Sequence, residues 1–583
     1  MPSDRTVLVL YGSETGNAQD LAEELGRLCQ RLRFDSRVQE LNAVDLATLV
    51  DHDLVVFVIS TAGQGDLPRN ALAFWRRLLR KKLPPGCLSQ LSFTCFGLGD
   101  STYVNFNWAA RKLVRRLEQL GASTFMEPCE ADEQFPEGID GSFVRWADEL
   151  RSHLLKHHPP PHGLPPIPDD ENLPARWSLE PALQAGQDTT VELSPSDLVT
   201  IPDAWTATLV DSKRMTPDTH WQDVRLLSFD VPHLECHPGD CLTIYPKNSP
   251  DDANSIITLM GWESVADQLL DLSICKALPH DLHAPSPCSI RGLLIHSIDI
   301  AAVPRRSFLR AISYYASNPD QRERLLELTT TDFLDDYFDY ATRSRRSIFE
   351  VLSDFDSVRV PPDRLIDVFP LIRGRDFSIA NAGSSPIQLL VAMVRYRTIL
   401  RKPRQGLCSR YLSRLHPGSR LNIGHRPAPT PIHGPLSAAR PLIAMATGTG
   451  IAPIRSLLLQ RLQHPHPLTP PPTILFFGNR NRTSDFFFAD DWLPLIQRGL
   501  LTLHTAFSRD LPQKTYIQHL IPRQAPLLTS LSAQNPLFLV CGGSSKMADA
   551  CRRAVLDALV GEDADEEVRR RKMGELDWWQ EIW

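Results

Sequence analysis

The spacing of apolar positions changes along the chain and divides it. Over residues 1–155, strand-length apolar runs alternate with polar stretches: TVLVLY (6–11), SRVQEL (36–41), DLVVFVIST (53–61), SFTCFGLG (92–99) and STFMEP (123–128). Between the first two, Leu21, Leu25, Leu28 and Leu32 recur at helical spacing, one stripe of an amphipathic helix. Alternation of this kind predicts a doubly wound parallel sheet, with ligands held beyond the carboxyl ends of its strands.

The pattern then breaks. HHPPPHGLPPIPDDENLP (157–174) can continue neither helix nor sheet, and predicts an extended linker over 156–199. From 200 to 435 the texture is short strands and turns, as in VRLLSFDVP and PGDCLTIYPKN. A charged helical insertion interrupts it over about 250–350. Residues 436–583 return to α/β alternation in RPLIAMA, ILFFGN, LTLHTAF and NPLFLVCGG. No internal repeat is present.

Bulk properties narrow the function. A chain of 583 residues exceeds what one core can bury. Hydrophobic residues at 42% and charged residues at 22% are ordinary for globular protein. A net charge of −7 without a basic tract argues against nucleic acid. The longest apolar run, 54–59, falls far short of the roughly 20 residues a membrane helix needs. MPSDR leads straight into a strand with no signal core, so a soluble, cytoplasmic protein is expected. The 11 cysteines show no CxxC pair, which reads as reduced thiols and no metal site.

Three loops at the strand ends carry chemistry. Ser13, Glu14, Thr15, Gly16, Asn17 and Ala18 open a helix with hydroxyls, a glycine and backbone N–H groups, an anion nest without the lysine of an ATP loop. Alone, such a loop is as often a helix cap. After the third strand comes STAGQGD (60–66), and after the fourth GLGDSTYVNFN (97–107). Glycines there let backbone amides approach a flat ring, and Tyr103 can stack on it.

YGSETGNA, STAGQGD and GLGDSTYVNFN together make the first domain resemble flavodoxin, whose ligand is FMN. The resemblance implies that residues 13–18 hold the phosphate. It implies that Ser60, Thr61, Ala62 and Gly63, with Leu98, Gly99, Asp100, Ser101, Thr102, Tyr103, Val104, Asn105, Phe106 and Asn107, hold the isoalloxazine. Asp132 or Glu133 is expected near the ribityl chain. Many relatives carry a second aromatic where Ala62 stands, so one flavin face is expected to be less covered.

In the second half, Arg375, Asp376, Phe377 and Ser378 (RDFS) and Gly406, Leu407, Cys408 and Ser409 (GLCS) supply an arginine for a pyrophosphate, an aromatic for a flavin and hydroxyls for its edge. With HPGDCLTIYPKN upstream, they resemble the FAD-binding barrel of the ferredoxin–NADP reductase superfamily, and Arg345 matches its additional FAD arginine. Strand 440–446 ends in a GTG turn with Thr449, a weak signal by itself. Downstream, Ser508, Arg509, Lys514, Thr515, Tyr516, Ile517 and Gln518 place cations beside a hydroxyl and an aromatic, as a 2′-phosphate and adenine need. The resemblance puts Cys541 near the nicotinamide, together with Ser378. It maps the family's terminal acid and aromatic onto Glu581 and Trp583, the latter as a lid on FAD. Gly543 stands where relatives have an acid.

The whole chain resembles the NADPH-dependent diflavin oxidoreductase family, closest to its cytosolic branch in iron–sulfur protein assembly. That implies an α/β multidomain enzyme: a flavodoxin-like FMN domain (1–155), the linker, an FAD barrel with the helical insertion, and an NADPH domain (436–583). Electrons are expected to pass from NADPH through FAD and FMN to a one-electron acceptor, the iron–sulfur protein anamorsin. The alternatives are a general reductase of haem proteins and a non-catalytic scaffold. A monomer with no membrane or nucleic-acid partner is expected. The acidic segment 127–149 is a docking face for a basic acceptor or a solvated surface.

Overall fold

Apolar runs in the first part of the chain lie side by side in parallel. The computed structural model describes residues 5–583 except 64, 104, 162, 178, 180–197, 274, 276–277, 286–287, 384, 429–431 and 464–469. It divides into two units, Met1–Ser178 with Ala302–Val368, and Leu179–Ala301 with Phe369–Trp583.

In the first unit, β1 (Thr6–Gly12), β2 (Asp35–Glu40), β3 (Leu54–Ser60), β4 (Ser92–Gly99) and β5 (Ser123–Thr124) run in the order β2-β1-β3-β4-β5. Leu54–Ile59 is buried without a break, as a parallel strand covered on both faces must be. The edge strand β2 alternates instead. Two cores flank the sheet, one around Leu8, Phe57, Phe74 and Phe93, the other around Val7, Leu25, Val56 and Phe96. Neighbouring residues of each strand go to opposite cores, the period of two a strand imposes.

The run 123–128, expected as one strand, is split. β6 (Cys129–Asp132) takes over against β4, with Phe93 opposite Thr124 but Phe96 opposite Cys129. Three steps along β4 thus match five along the partner. Pro128 has no N–H to give a ladder, and Phe125 and Met126 turn to pack on the core.

Residues Ala302–Val368 are joined to this unit through charge. Arg306, 2% exposed, pairs with Glu24 and Asp140, each at 3.1 Å, and donates to the Thr329 carbonyl at 3.1 Å. Arg176 bridges Glu23 (2.7 Å) and Asp367 (3.0 Å), and Arg27 reaches Asp367 at 3.0 Å. The proline-rich segment also packs here: Ile167 N–H donates to the Arg31 carbonyl at 2.8 Å, and Arg33 to the Pro165 carbonyl at 3.0 Å.

The second unit holds two sheets. β7 (Trp205–Arg214), β8 (Val224–Asp230), β9 (Cys241–Ile244), β10 (Arg375–Ser378), β11 (Ile387–Ala392) and β14 (Arg420–Arg426) form an antiparallel sheet in the order β10-β9-β14-β7-β8-β11. Its ladder does not close among the described residues. A single bridge, Ile379 to Leu389, joins the chain beyond β10 to β11. β12 (Arg395–Tyr396) and β13 (Arg404–Gln405) make a separate hairpin. β15 (Leu442–Thr447), β16 (Thr473–Asn479), β17 (Thr502–Phe507), β18 (Leu537–Gly542) and β19 (Asp577–Ile582) form a parallel sheet in the order β17-β16-β15-β18-β19. The Trp-rich tail is therefore a strand. Among the described residues, no helix is long and apolar enough to cross a membrane.

Arg306→Met leaves two carboxylates facing each other without their cation. Urea unfolding of the full chain is expected to show a loss of about 3 kcal/mol or more for this variant. Adding Glu24→Gln and Asp140→Asn is expected to restore most of it, because the apolar replacement then faces neutral groups.

Candidate functional sites

The three loops of the first unit meet at the carboxyl edge of its sheet. Ser13 Oγ accepts from Gly16 N–H and Asn70 Oδ1 accepts from Ser13 N–H, each at 2.9 Å, so the phosphate-type loop is tied from both sides. Gly16 has φ of 92°, a conformation that favours glycine, and it leads into the helix Asn17–Arg31. Thr15 and Asn17 face solvent, Ala18 is core, and Glu14 accepts from Arg69 N–H at 3.1 Å.

The other two loops are built for close approach. Thr61 N–H donates to the Leu98 carbonyl at 3.0 Å, and Ala62 bridges Asp66 across Gly63. Ser60 Oγ reaches the Gly12 carbonyl at 3.3 Å. A Cβ on Gly65 would sit 2.7 Å from the Asn105 side chain, and one on Gly99 would sit 2.9 Å from that of Asn107. Asn107 is fully buried, and its Oδ1 has no hydrogen-bond partner. Tyr103 stays 36% exposed, Ser101 and Thr102 are exposed, and Thr102 donates to Asp100 at 2.7 Å. The Arg111 guanidinium lies 5.5 Å over the Phe106 ring. Val104 lies outside the described residues. A flat ring over glycine backbone, an exposed tyrosine and an orphaned acceptor suit a flavin.

The two acids divide. Burial raises the Asp132 carboxyl, but hydrogen bonds from Ser101 and Gln134 (2.9 and 3.0 Å) outweigh it and hold it below its usual value. Asp132 is thus a loop tie. Glu133 is pushed up by burial and by Asp140, Asp100 and Asp132, and is the acid without those ties. In the segment 127–149, Glu130 pairs with Arg111 at 2.6 Å, Glu137 with Arg145, and Asp140 with Arg306. Much of that negative charge is answered within the unit.

In the second unit, Asp376 is held by Thr243 Oγ1 at 2.5 Å and by Arg426, while Arg375 stands exposed and Phe377 is half-buried. The helix Leu407–Arg414 starts at Gly406, where Val394 N–H donates to Ser409 Oγ at 2.9 Å. Its N-terminal N–H groups beside an exposed arginine suit a pyrophosphate. Leu407 is core, and burial pushes the Cys408 thiol up to about 12. Arg345 is exposed and belongs to the first unit.

The two sheets of the second unit meet at Glu581. Ser378, opposite Cys241 on β9, donates its hydroxyl to Glu581 Oε1. Cys241 Sγ lies 3.8 Å from the same oxygen. Glu581 pairs with Cys541 across the β18–β19 ladder. Its Oε2 is covered and has no hydrogen-bond partner, and burial pushes the carboxyl up to about 7. The Cys541 thiol is driven well up by burial and by Glu581, so it is neutral. Three residues expected from sequence are brought together here. Cys241 was not singled out, because nothing local in PGDCLTIY marks it. Trp583 is 55% exposed, and its N–H donates to the Gly542 carbonyl at 3.3 Å.

Thr449 sits in the turn Gly448–Gly450, where a Cβ on Gly450 would meet the Cys541 carbonyl oxygen at 2.3 Å. Arg509 N–H donates to the Arg480 carbonyl at 2.8 Å, and Ser508 N–H to the Asn479 carbonyl at 3.0 Å. Burial and the charge of Arg509 lower the Arg480 guanidinium, which lies 4.1 Å over Trp221. An arginine depressed in this way is relieved by a dianionic phosphate. Lys514 and Tyr516 are exposed, Thr515 and Gln518 half-buried, and Ile517 is a core anchor. Nothing local in GNRNR marks Arg480 as a neighbour of Arg509, because strand-end arginines carry no distinctive spacing.

Elsewhere, Cys236, Asp240 and His425 bring possible ligand atoms within 4.8 Å of one another. Asp240 already accepts from the N–H groups of His237 and Ala428 and bonds His425 Nε2, all at 2.9 Å, so it serves to join chain segments.

Three family models match the chain in order: flavodoxin over residues 9–146, an FAD binding domain over 200–411, and an oxidoreductase NAD-binding domain over 444–553. A curated NADPH-dependent diflavin oxidoreductase 1 from Gibberella zeae is 57% identical over 602 residues, covering 100% of this chain and 99% of its own. The proteins of that name from Aspergillus fumigatus and Mus musculus are 44% and 37% identical. They cover 95% and 93% of this chain, and 93% and 92% of their own.

A carboxyl raised to about 7 on folding binds its proton more tightly in the native state than in the unfolded one. Its contribution is therefore complete below the ordinary glutamate range and is lost as pH rises toward 7. Without bound cofactors, the wild type is expected to lose stability relative to Glu581→Gln across that window, by about 3 kcal/mol at most, and then level off. Thermal or urea unfolding of both proteins over the pH series measures it.

Proposed function

Because the chain belongs to the NADPH-dependent diflavin oxidoreductase family, we propose that it reduces an iron–sulfur protein of the anamorsin kind in the cytoplasm, acting as a monomer. When bound, FAD would supply a two-electron acceptor for the NADPH hydride, and FMN a carrier that passes electrons on singly. The observation that supports hydride chemistry within this reading is the convergence of Ser378, Cys541 and Glu581 at the meeting of the two sheets.

The proposed division into domains falls near 155, 199 and 435. Residues 13–18, 60–63 and 98–107 with Glu133 would hold FMN, and Arg375–Ser378 with Gly406–Ser409 would hold FAD, the open antiparallel sheet serving as its barrel wall. Arg345 is proposed as a further FAD arginine. Ser378 presents a hydroxyl, Cys541 a neutral thiol, and Glu581 a carboxyl whose proton exchanges near neutrality. They orient and polarise; none is activated as a nucleophile. Ser508, Arg509, Lys514 and Tyr516 would grip the 2′-phosphate and adenine, joined by Arg480. Trp583 would cover the flavin face that the nicotinamide must reach.

Arg509→Ala is expected to weaken NADPH by about one to two powers of ten and leave NADH nearly unchanged. Removing Trp583 is expected to raise kcat/KM for NADH far more than for NADPH; an unmoved NADH value would remove the lid from this account. For the acceptor, NADPH-driven bleaching of purified anamorsin is the measurement. Rapid reduction of haem proteins with none of anamorsin would replace the iron–sulfur role by that of a general reductase.

A further inference from the structure

A phosphate monoester bound at Ser13–Ala18 brings up to two negative charges to a loop that contains Glu14 and no lysine or arginine. Asp20 follows one turn into the helix. A helix N-terminus supplies only about half a positive charge. One cation reaches the start of this helix from far along the chain. Arg305 Nη2 donates to Asn17 Oδ1 at 2.9 Å, and Nη1 lies 3.8 Å from the Asp20 carboxylate. Its neighbours hold it there. Arg306 is locked between Glu24 and Asp140, and Ser307 Oγ donates to Asp20 at 2.6 Å. Arg305 itself keeps a side chain that is 37% exposed.

We propose that Arg305 is part of the FMN phosphate site, reaching from the segment Ala302–Val368 to neutralise a dianion that the loop's own residues cannot. The proposal rests on the FMN reading of that loop. It gives the helical segment a part in cofactor retention: FMN and the docked segment each strengthen the hold of the other, by reciprocal linkage.

The test uses the full-length protein freed of FMN, titrated with FMN and with riboflavin, which lacks the phosphate, while flavin fluorescence is followed. Arg305→Gln is expected to weaken FMN about tenfold to a hundredfold and leave riboflavin unchanged. Arg305→Lys is expected to recover part of the loss. The FMN-to-riboflavin ratio is internal to each variant, so partial unfolding does not mimic the effect. Equal losses for both flavins would make Arg305 a strap and overturn the proposal, as would no loss for either. Wild-type protein with no preference for FMN over riboflavin would instead sink the FMN reading of the loop.

Discussion

A parallel sheet sends the carboxyl ends of its strands, and the N-termini of the helices that follow, to one edge. The chemistry of both parallel sheets is laid out by that constraint. Loops 13–18, 60–63 and 98–107 share one edge of the first sheet, and the turn 448–450 shares its edge with Gly542. Backbone N–H groups collect where anions must be held, and glycines stand where a side chain would fill the approach, as at Gly99 and Gly450. The antiparallel sheet contributes differently, by setting Ser378 at the end of β10 against a carboxylate from the last strand.

Charge is segregated along the sequence and reassembled in space. Between Phe377 and Ser484 there is no aspartate or glutamate. Arginines in that run find their partners in flanking segments: Arg410 with Asp252, Arg426 with Asp376, Arg440 with Asp577, and Arg455 with Asp491. Each pair ties sequence-distant pieces of the second unit. In the first unit, Arg306 does the same for the helical segment from a nearly water-free position.

What the sequence disclosed follows from whether a signal is local. The loops 13–18, 60–63 and 98–107 and the cluster 508–518 are contiguous, so residue types and spacing singled them out. β1, β3 and β4 were legible because long apolar runs have few other fates. The split at 123–128 was not, since the ladder's extra residues depend on β4. Cys241 and Arg480 come beside the singled-out residues through pairing with distant chain. The helical segment's attachment rests on single buried charges, which leave no periodic trace. The tail Asp577–Ile582, ahead of Trp583, forms a strand because Phe538 offers Trp578 a stacked ring at 5.8 Å and Trp579 joins the core on the opposite face.

That strand gives the meeting of Ser378 and Glu581 a parity. Trp579 and Glu581 face one side of the sheet, and Trp578, Gln580 and Ile582 the other. A single residue inserted or lost between Asp577 and Glu581 would turn the carboxyl away and present an amide or an apolar side chain to Ser378, whereas a change of two would keep the facing and shift only the distance. Along this stretch, evolution can drift in even steps but not in odd ones.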